Sequence, residues 1–243
     1  MLRFIGLVFT LLWSLHVVAQ PLVFAIDGSE GGRLSERNIG ALEQFFELRG
    51  CAVHVVPLAE LDGPDLVFYA SEMKQQIRVG FEPLVVPATW QGSPLTSTIL
   101  VRASTGTSSL ESLANQRIAY VSDNALLGRG LAEQALLGSG VKLTAREVYL
   151  TGDYQGSMTM LLHGDVFAAA IAGPLAHRWA KANDLTILYE SVPQDIGRVW
   201  IRNELPDAVR LSCQDAFSQL KRESRRDAKM RLFPLWLEGF VLP

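Results

Sequence analysis

Short apolar segments alternate with amphipathic segments along most of this chain, and this alternation constrains its fold more than any other feature. The run LVFAI at 22–26 is typical of a buried strand. The segment at 34–50 then carries Leu42 and Phe46 on one helical face, with a serine near its start and a glycine at its end. Alternating strands and helices predict an α/β fold in which helices cover mostly parallel sheets.

The same alternation continues to near the end of the chain. Further strands are predicted at 52–56, 65–70, 97–103, 117–121, 146–150, 166–172, 185–191 and 197–202. Further helices are predicted at 71–80, 128–138, 154–164, 174–183 and 206–222. The elements fall into two sets joined by extended strands. We therefore predict two lobes with a cleft between them, where small ligands often bind.

The last predicted helix, 206–222, has no partner strand of its own and must pack back on an earlier part of the chain. Packing on the first lobe would make that lobe discontinuous. The predicted parts are lobe 1 at 20–96 plus 197–243, lobe 2 at 103–190, and a two-strand hinge near 97–102 and 191–196. The basic run KRESRRDAKMR at 221–231 is interpreted as the solvated end of the last helix.

The first residues differ from the rest of the chain. Arg3 is the only early cation, and the residues at 4–15 are almost all apolar. This pattern predicts a signal peptide at 1–19 that is removed after Ala19. A membrane anchor is the alternative, although the apolar run is short for a full span.

The motifs do not predict catalysis. The sequence contains no G-x-S-x-G and no H-E-x-x-H, and Cys51 and His54 lack further ligands at metal-binding spacing. We therefore expect a binding protein with no catalytic residues, no metal and no cofactor. The net charge of −3 argues against nucleic acid as a partner.

Cys51 and Cys213 are the only two cysteines. Export would permit a disulfide between them. Cys213 also shares a helical face with Val209 and Phe217, where a small free thiol would suit the core. Both alternatives stay open.

The segment YVSDNALLGRG at 120–130 predicts a strand, a polar turn and a helix in succession. Such a junction exposes backbone N–H groups that bind small anions. Ala125, Leu126 and Leu127 occupy the exit of the turn, so the hydroxyl side chains that usually help to hold an anion are missing.

The order of several short motifs resembles the phosphate/phosphonate-type periplasmic solute-binding proteins of ABC importers. The motifs are DLVF at 65–68, FEPL at 81–84, SLESLANQRIAYVSD at 109–123, GDVFAAAIAG at 164–173, YESVP at 189–193, RNELP at 202–206 and EGFV at 238–241. The resemblance implies an α/β, two-lobed type II periplasmic-binding-protein fold that closes on a solute, and a periplasmic location.

The resemblance places the family's phosphonate-binding turn at 124–128 and puts Tyr154 where the family often has a pocket histidine. A buried phosphonate needs many charge-assisted hydrogen bonds. We therefore predict that the cleft is kept and phosphonate specificity is lost. Turn chemistry and helix capping are the alternative explanation for each polar candidate. The predicted ligand-binding residues are Ser29, Glu30, Tyr69, Ser71, Ser122, Asp123, Asn124, Leu127, Gly128, Asp153 and Tyr154.

These observations predict a secreted, monomeric, non-enzymatic solute-binding protein that serves either the membrane permease of an ABC importer or a membrane sensor. The alternative is a periplasmic interaction protein with an empty cleft, which docks on a membrane histidine kinase or a cyclic-dinucleotide enzyme. An enzyme on the same scaffold is a third class, but no proton-transfer pair is evident. The identity of the solute and the open or closed resting state stay open.

Overall fold

The computed structural model describes residues 20–58, 63–71 and 79–243. The predicted signal peptide at 1–19 lies outside the described residues, and so does most of the helix predicted at 71–80. Within the described part, no helix is long and apolar enough to cross a membrane.

Eleven strands of the described residues form two sheets. The first sheet has the order β11-β4-β10-β3-β1-β2. Its strands are β1 (Leu22–Ile26), β2 (Val53–Pro57), β3 (Leu66–Phe68), β4 (Phe81–Thr89), β10 (Val199–Arg202) and β11 (Leu237–Val241). The second sheet has the order β7-β6-β8-β5-β9. Its strands are β5 (Ser97–Arg102), β6 (Ile118–Tyr120), β7 (Val148–Leu150), β8 (Ala168–Ala172) and β9 (Leu185–Glu190).

Five α-helices of the described residues connect these strands. They are α1 (Glu36–Glu47), α2 (Leu131–Gly138), α3 (Tyr154–His163), α4 (Gly173–Asn183) and α5 (Asp207–Gln219). Ser35 accepts a hydrogen bond from the backbone N–H of Asn38 and so caps α1, as its position in the sequence predicts. A π-helical turn at Leu126–Gly130 leads into α2.

The predicted α/β class and the expectation of mostly parallel sheets are confirmed. Strands β1–β4 share one direction in the first sheet and β6–β9 share one direction in the second, while β10, β11 and β5 run the opposite way. In the first sheet β1 pairs in parallel with β2 and β3, whereas β10 is antiparallel to both β3 and β4. In the second sheet β6 pairs in parallel with β7 and β8, whereas β5 is antiparallel to β8 and β9. The chain crosses from one sheet to the other before β5 and back before β10, and each crossing inserts a strand of reversed direction.

The range 97–102, predicted as part of the hinge, forms β5 inside the second sheet. Its residues pair with β8 on one side and with β9 on the other. The basic run at 221–231 differs from its interpretation as a helix end, because α5 ends at Gln219 and the run forms an isolated bridge, turns and a short 3-10 helix. It is a folded connection between α5 and β11 and not the end of a helix.

The last long helix packs back on an earlier part of the chain, as its lack of a partner strand predicts, and this part is the first lobe. Phe217 of α5 lies 5.4 Å from Phe24 of β1 and 4.6 Å from Phe46 of α1, measured between ring centroids. Cys213 of the same helix forms a disulfide with Cys51, with the two Cα atoms 4.9 Å apart. The sequence left this pairing open, and the structure assigns it.

One continuous group of buried apolar residues joins the two lobes. It includes Phe24 and Trp236 beside the first sheet, and Leu127 and Tyr154 beside the second. The two lobes are therefore packed against each other, with the chain between β1 and α1 at their junction.

Candidate functional site

The loop after β1 in the first lobe contacts the second lobe and forms part of the site. Ser122 Oγ donates a hydrogen bond to the carbonyl of Ser29, with 2.7 Å between the oxygens. Gly31 has φ +85°, and a Cβ added there would lie 3.1 Å from the Cα of Asp153. Glycine is required at this position both by its backbone conformation and by the close approach of the second lobe.

The carboxylate of Glu30, from the loop after β1, lies against the turn at 124–128 that was expected to bind an anion. The backbone N–H of Leu127 donates to Glu30 Oε1 over 2.6 Å, and that of Gly128 donates to Oε2 over 3.3 Å. The hydroxyl of Tyr154 donates to Oε2 as well. Glu30 is fully buried. We call Glu30, Leu127, Gly128 and Tyr154 the anion corner. In this corner the carboxylate of Glu30 accepts the hydrogen bonds that a bound anion would accept.

The local sequence explains why the turn has this shape. A Cβ on Gly128 would lie 2.7 Å from Val121 Cγ2, so only glycine brings its N–H this close to the end of β6. Leu127 is fully buried, and its carbonyl accepts a hydrogen bond from Ser97 Oγ over 2.6 Å. Leu127 therefore serves the corner through its backbone, while its side chain belongs to the core.

Burial raises the pKa of Glu30 to about 7, although the hydrogen bonds from Tyr154, Leu127 and Gly128 act in the opposite direction. Nearby Asp27 raises this pKa further. The three donors to Glu30 are uncharged, so they hold the carboxylate without neutralising it. Burial and the carboxylate of Glu30 keep the pKa of Tyr154 well above its usual value, so its hydroxyl remains a donor.

A second feature of the cleft is a cavity of about 360 Å³ at the carboxyl ends of β1 and β3. Asp27 lies in its wall and accepts hydrogen bonds from the N–H groups of Ser29 and Ala70 and from Ser71 Oγ, at 2.9, 3.2 and 3.2 Å. Burial and Asp27 together raise the pKa of Tyr69. Among the described residues, the lining is Ile26, Asp27, Gly28, Ser29, Leu34, Pro57, Leu58, Tyr69, Ser71 and Asn124, with no lysine or arginine.

The structure divides the residues predicted from the sequence into three groups. Those that line the cleft cavity are Ser29, Tyr69, Ser71 and Asn124. Those that form the anion corner are Glu30, Leu127, Gly128 and Tyr154. The remaining three, Ser122, Asp123 and Asp153, make contacts within the protein.

Asp123 and Asp153 each form a salt bridge with an arginine. Asp123 is exposed and pairs with Arg129. Asp153 accepts from the N–H of Gly156 over 2.7 Å, which caps α3, and also pairs with Arg33 from the first lobe. Capping, the alternative explanation offered above, accounts for Asp153.

Sequence reasoning missed Asp27. The available signal was its position directly after a buried strand, because ligands of open α/β sheets bind beyond the carboxyl ends of the strands. Its hydrogen bonds to Ala70 and Ser71 span 43 and 44 residues, so no local pattern could reveal them.

Two α/β lobes joined by two chain crossings, with a polar site between them, define the class of two-lobed periplasmic binding proteins. A family model described as "ABC transporter, phosphonate, periplasmic substrate-binding protein" matches residues 67–243. The chain therefore belongs to this family of periplasmic proteins, and the resemblance found in its motifs is confirmed. A sequence search of curated proteins found no match.

Solved structures support the same fold. PhnD1 from Prochlorococcus marinus, in complex with methylphosphonate, has a TM-score of 0.59 and 15% identity, covering 91% of this chain and 92% of PhnD1. A binding-protein component of an ABC phosphonate transporter from Pseudomonas aeruginosa also has a TM-score of 0.59, with 18% identity and coverage of 91% and 81%. A Xanthomonas citri protein bound to ATP has a TM-score of 0.57, 16% identity and coverage of 91% and 90%. At these identities the likeness concerns the fold alone.

Proposed function

We propose that this chain is an exported, non-enzymatic solute-binding protein whose cleft takes a neutral or cationic solute and not a phosphonate. The observation that carries the proposal is the position of Glu30. Its carboxylate takes up the N–H groups of Leu127 and Gly128, which are the donors that an external oxyanion would need.

Electrostatics supports the exclusion of a phosphonate. Above the pKa of Glu30, about 7, its carboxylate is charged, and two unit charges of like sign 4 Å apart repel by about 4 kcal/mol at the effective dielectric constant of a protein. An incoming anion would also find the donors of the corner already used, and an unpaired buried polar group costs about 1–3 kcal/mol. Either effect alone would weaken phosphonate binding by at least about fivefold.

The lining of the cleft cavity supports the proposal that the solute is neutral or cationic. Asp27 gives its wall a negative charge, and Tyr69, Ser71 and Asn124 add hydroxyl and amide groups. A solute with an ammonium group or several hydroxyl groups could donate to these oxygens. The protein would then deliver this solute to the permease of an importer, or report its presence to a membrane sensor.

A second candidate function follows from the buried apolar group that joins the lobes. Because Leu127 and Tyr154 are fully buried in the same core as Phe24 and Trp236, the lobes could stay closed without any solute. The protein would then act through its surface, as a periplasmic interaction protein that docks on a membrane histidine kinase or a cyclic-dinucleotide enzyme.

Thermal unfolding with a panel of solutes tests these functions. The probes are amino acids, polyamines and sugars, with methylphosphonate as the anionic probe. A solute-binding protein gains about 2.7 kcal/mol at a hundredfold excess over Kd. We expect a shift from at least one neutral or cationic probe, lost in Asp27→Asn, and none from methylphosphonate. A shift with methylphosphonate alone would contradict the proposal, and no shift with any probe would favour the interaction protein.

A further inference from the structure

A second cavity, of about 300 Å³, is lined by residues at the start of α3, Tyr154 among them, and by residues of the segment after α5. Five arginines contribute to its lining. They are Arg33, Arg222, Arg225, Arg226 and Arg231. Among the described residues, Asp153 is the only acidic residue of the lining, and it already pairs with Arg33.

Two of the arginines have structural duties. Arg222 donates to the carbonyls of Leu237, Met230 and Pro234 at 2.9, 3.0 and 2.9 Å, and so fixes the path of the chain towards β11. The backbone N–H of Arg33 donates to the carbonyl of Arg231 over 2.7 Å, which holds these two residues side by side.

The guanidinium groups of the other three arginines are available to bind a ligand. Arg225, Arg226 and Arg231 are exposed, and their side chains have no hydrogen-bond or ion-pair partner among the residues the structure describes. The acidic residues of the same run do not serve them, because Glu223 and Asp227 both pair with Lys229. The cavity therefore concentrates positive charge in a protein whose net charge is −3.

Gln155 in the first turn of α3 lines the cavity, together with the apolar side chains of Phe233 and Leu235. A guanidinium group binds phosphate oxygens with two parallel hydrogen bonds, and clustered arginines select ligands that carry several such oxygens.

We propose that this arginine cavity is a second ligand site, separate from the anion corner, and that it binds a phosphate-bearing polyanion through Arg225, Arg226 and Arg231. The phosphate groups could belong to a free organic phosphate or to the headgroup of an anionic lipid. The site accounts for the basic run at 221–231, which the solute-binding function does not use.

Calorimetric titration with inorganic pyrophosphate tests the site. We expect one pyrophosphate per chain, with affinity that falls as salt is added. The double variant Arg225→Gln/Arg226→Gln should weaken binding by at least about tenfold, the loss expected when charged hydrogen bonds are removed. The matched control is Arg117→Gln/Arg146→Gln, which removes two exposed charges outside the cavity and should change Kd by less than about twofold.

Vesicles distinguish the two sources of phosphate. Co-sedimentation with phosphatidylglycerol vesicles, but not with phosphatidylcholine vesicles, would indicate a lipid headgroup if the same two arginines are required. Pyrophosphate binding without such co-sedimentation would indicate a soluble phosphate. The proposal is wrong if neither probe binds, or if both double variants lose affinity equally.

Discussion

Replacing Glu30 by glutamine should remove a pH dependence that the buried carboxylate imposes on folding. Glutamine has nearly the same shape, its amide oxygen can accept from the N–H of Leu127, and its amide N–H can donate towards Tyr154. Glu30→Gln therefore keeps the contacts with Leu127 and Tyr154, removes the acceptor of the Gly128 N–H, and removes the titration.

The magnitude follows from the pKa of Glu30, which burial raises from 4.5 to about 7. This rise corresponds to about 3 kcal/mol at 25 °C. Between these two pH values the folded protein holds a proton that the unfolded chain has released. The free energy of unfolding must therefore fall as pH rises from about 4.5 to 7, and stay low above that range.

Urea unfolding at several pH values between 5 and 8 measures this effect. The wild-type protein should lose up to about 3 kcal/mol across this range relative to Glu30→Gln. Glu204→Gln is the matched control, because Glu204 is exposed and its replacement should leave the wild-type pH dependence intact. If wild type and Glu30→Gln have parallel curves, Glu30 does not titrate in this way and the reasoning is refuted.

Three further predictions concern the corner and the disulfide. Tyr154→Phe removes a donor that lowers the pKa of Glu30, so it should cost about 1–3 kcal/mol at pH 8 and less at pH 5, and equal losses in urea unfolding at both pH values would contradict this. Gly128→Ala should cost about 1–3 kcal/mol because its Cβ would meet Val121 at 2.7 Å, whereas Gly130→Ala, with 3.6 Å to its nearest neighbour, should be nearly neutral. Reduction of the Cys51–Cys213 disulfide, which spans 162 residues, should lower stability by up to about 5 kcal/mol in the chain-entropy model, and an unchanged urea midpoint after reduction would contradict this.

The sequence predicts the elements better than their arrangement. The strand at 22–26 and the helix that begins after Ser35 follow from apolar spacing and capping, which are local properties. The insertion of β10 between β3 and β4, antiparallel to both, depends on contacts between distant segments, so local patterns did not reveal it. The basic run at 221–231 was misread for the same reason, because carbonyls further along the chain fix the direction of Arg222.

For the candidate site, too, local patterns predict a single element but not its contacts with distant segments. The turn at 124–128 could be recognised as an anion-binding geometry that lacks hydroxyl side chains. The sequence could not reveal that the Glu30 carboxylate occupies this turn, because Glu30 is 97 residues from Leu127 and 124 residues from Tyr154. Composition gives no signal for such a contact, since a lone glutamate in a polar loop is ordinarily a solvated side chain.

The most direct test of the central claim is a calorimetric titration of methylphosphonate into the wild-type protein and into Glu30→Ala. The variant frees the N–H groups of Leu127 and Gly128 and the hydroxyl of Tyr154, and leaves a space that an oxyanion can enter. We predict no measurable binding to the wild type and measurable binding to Glu30→Ala. Tight binding to the wild-type protein, unchanged or weakened in Glu30→Ala, would contradict the claim that Glu30 takes the place of the ligand.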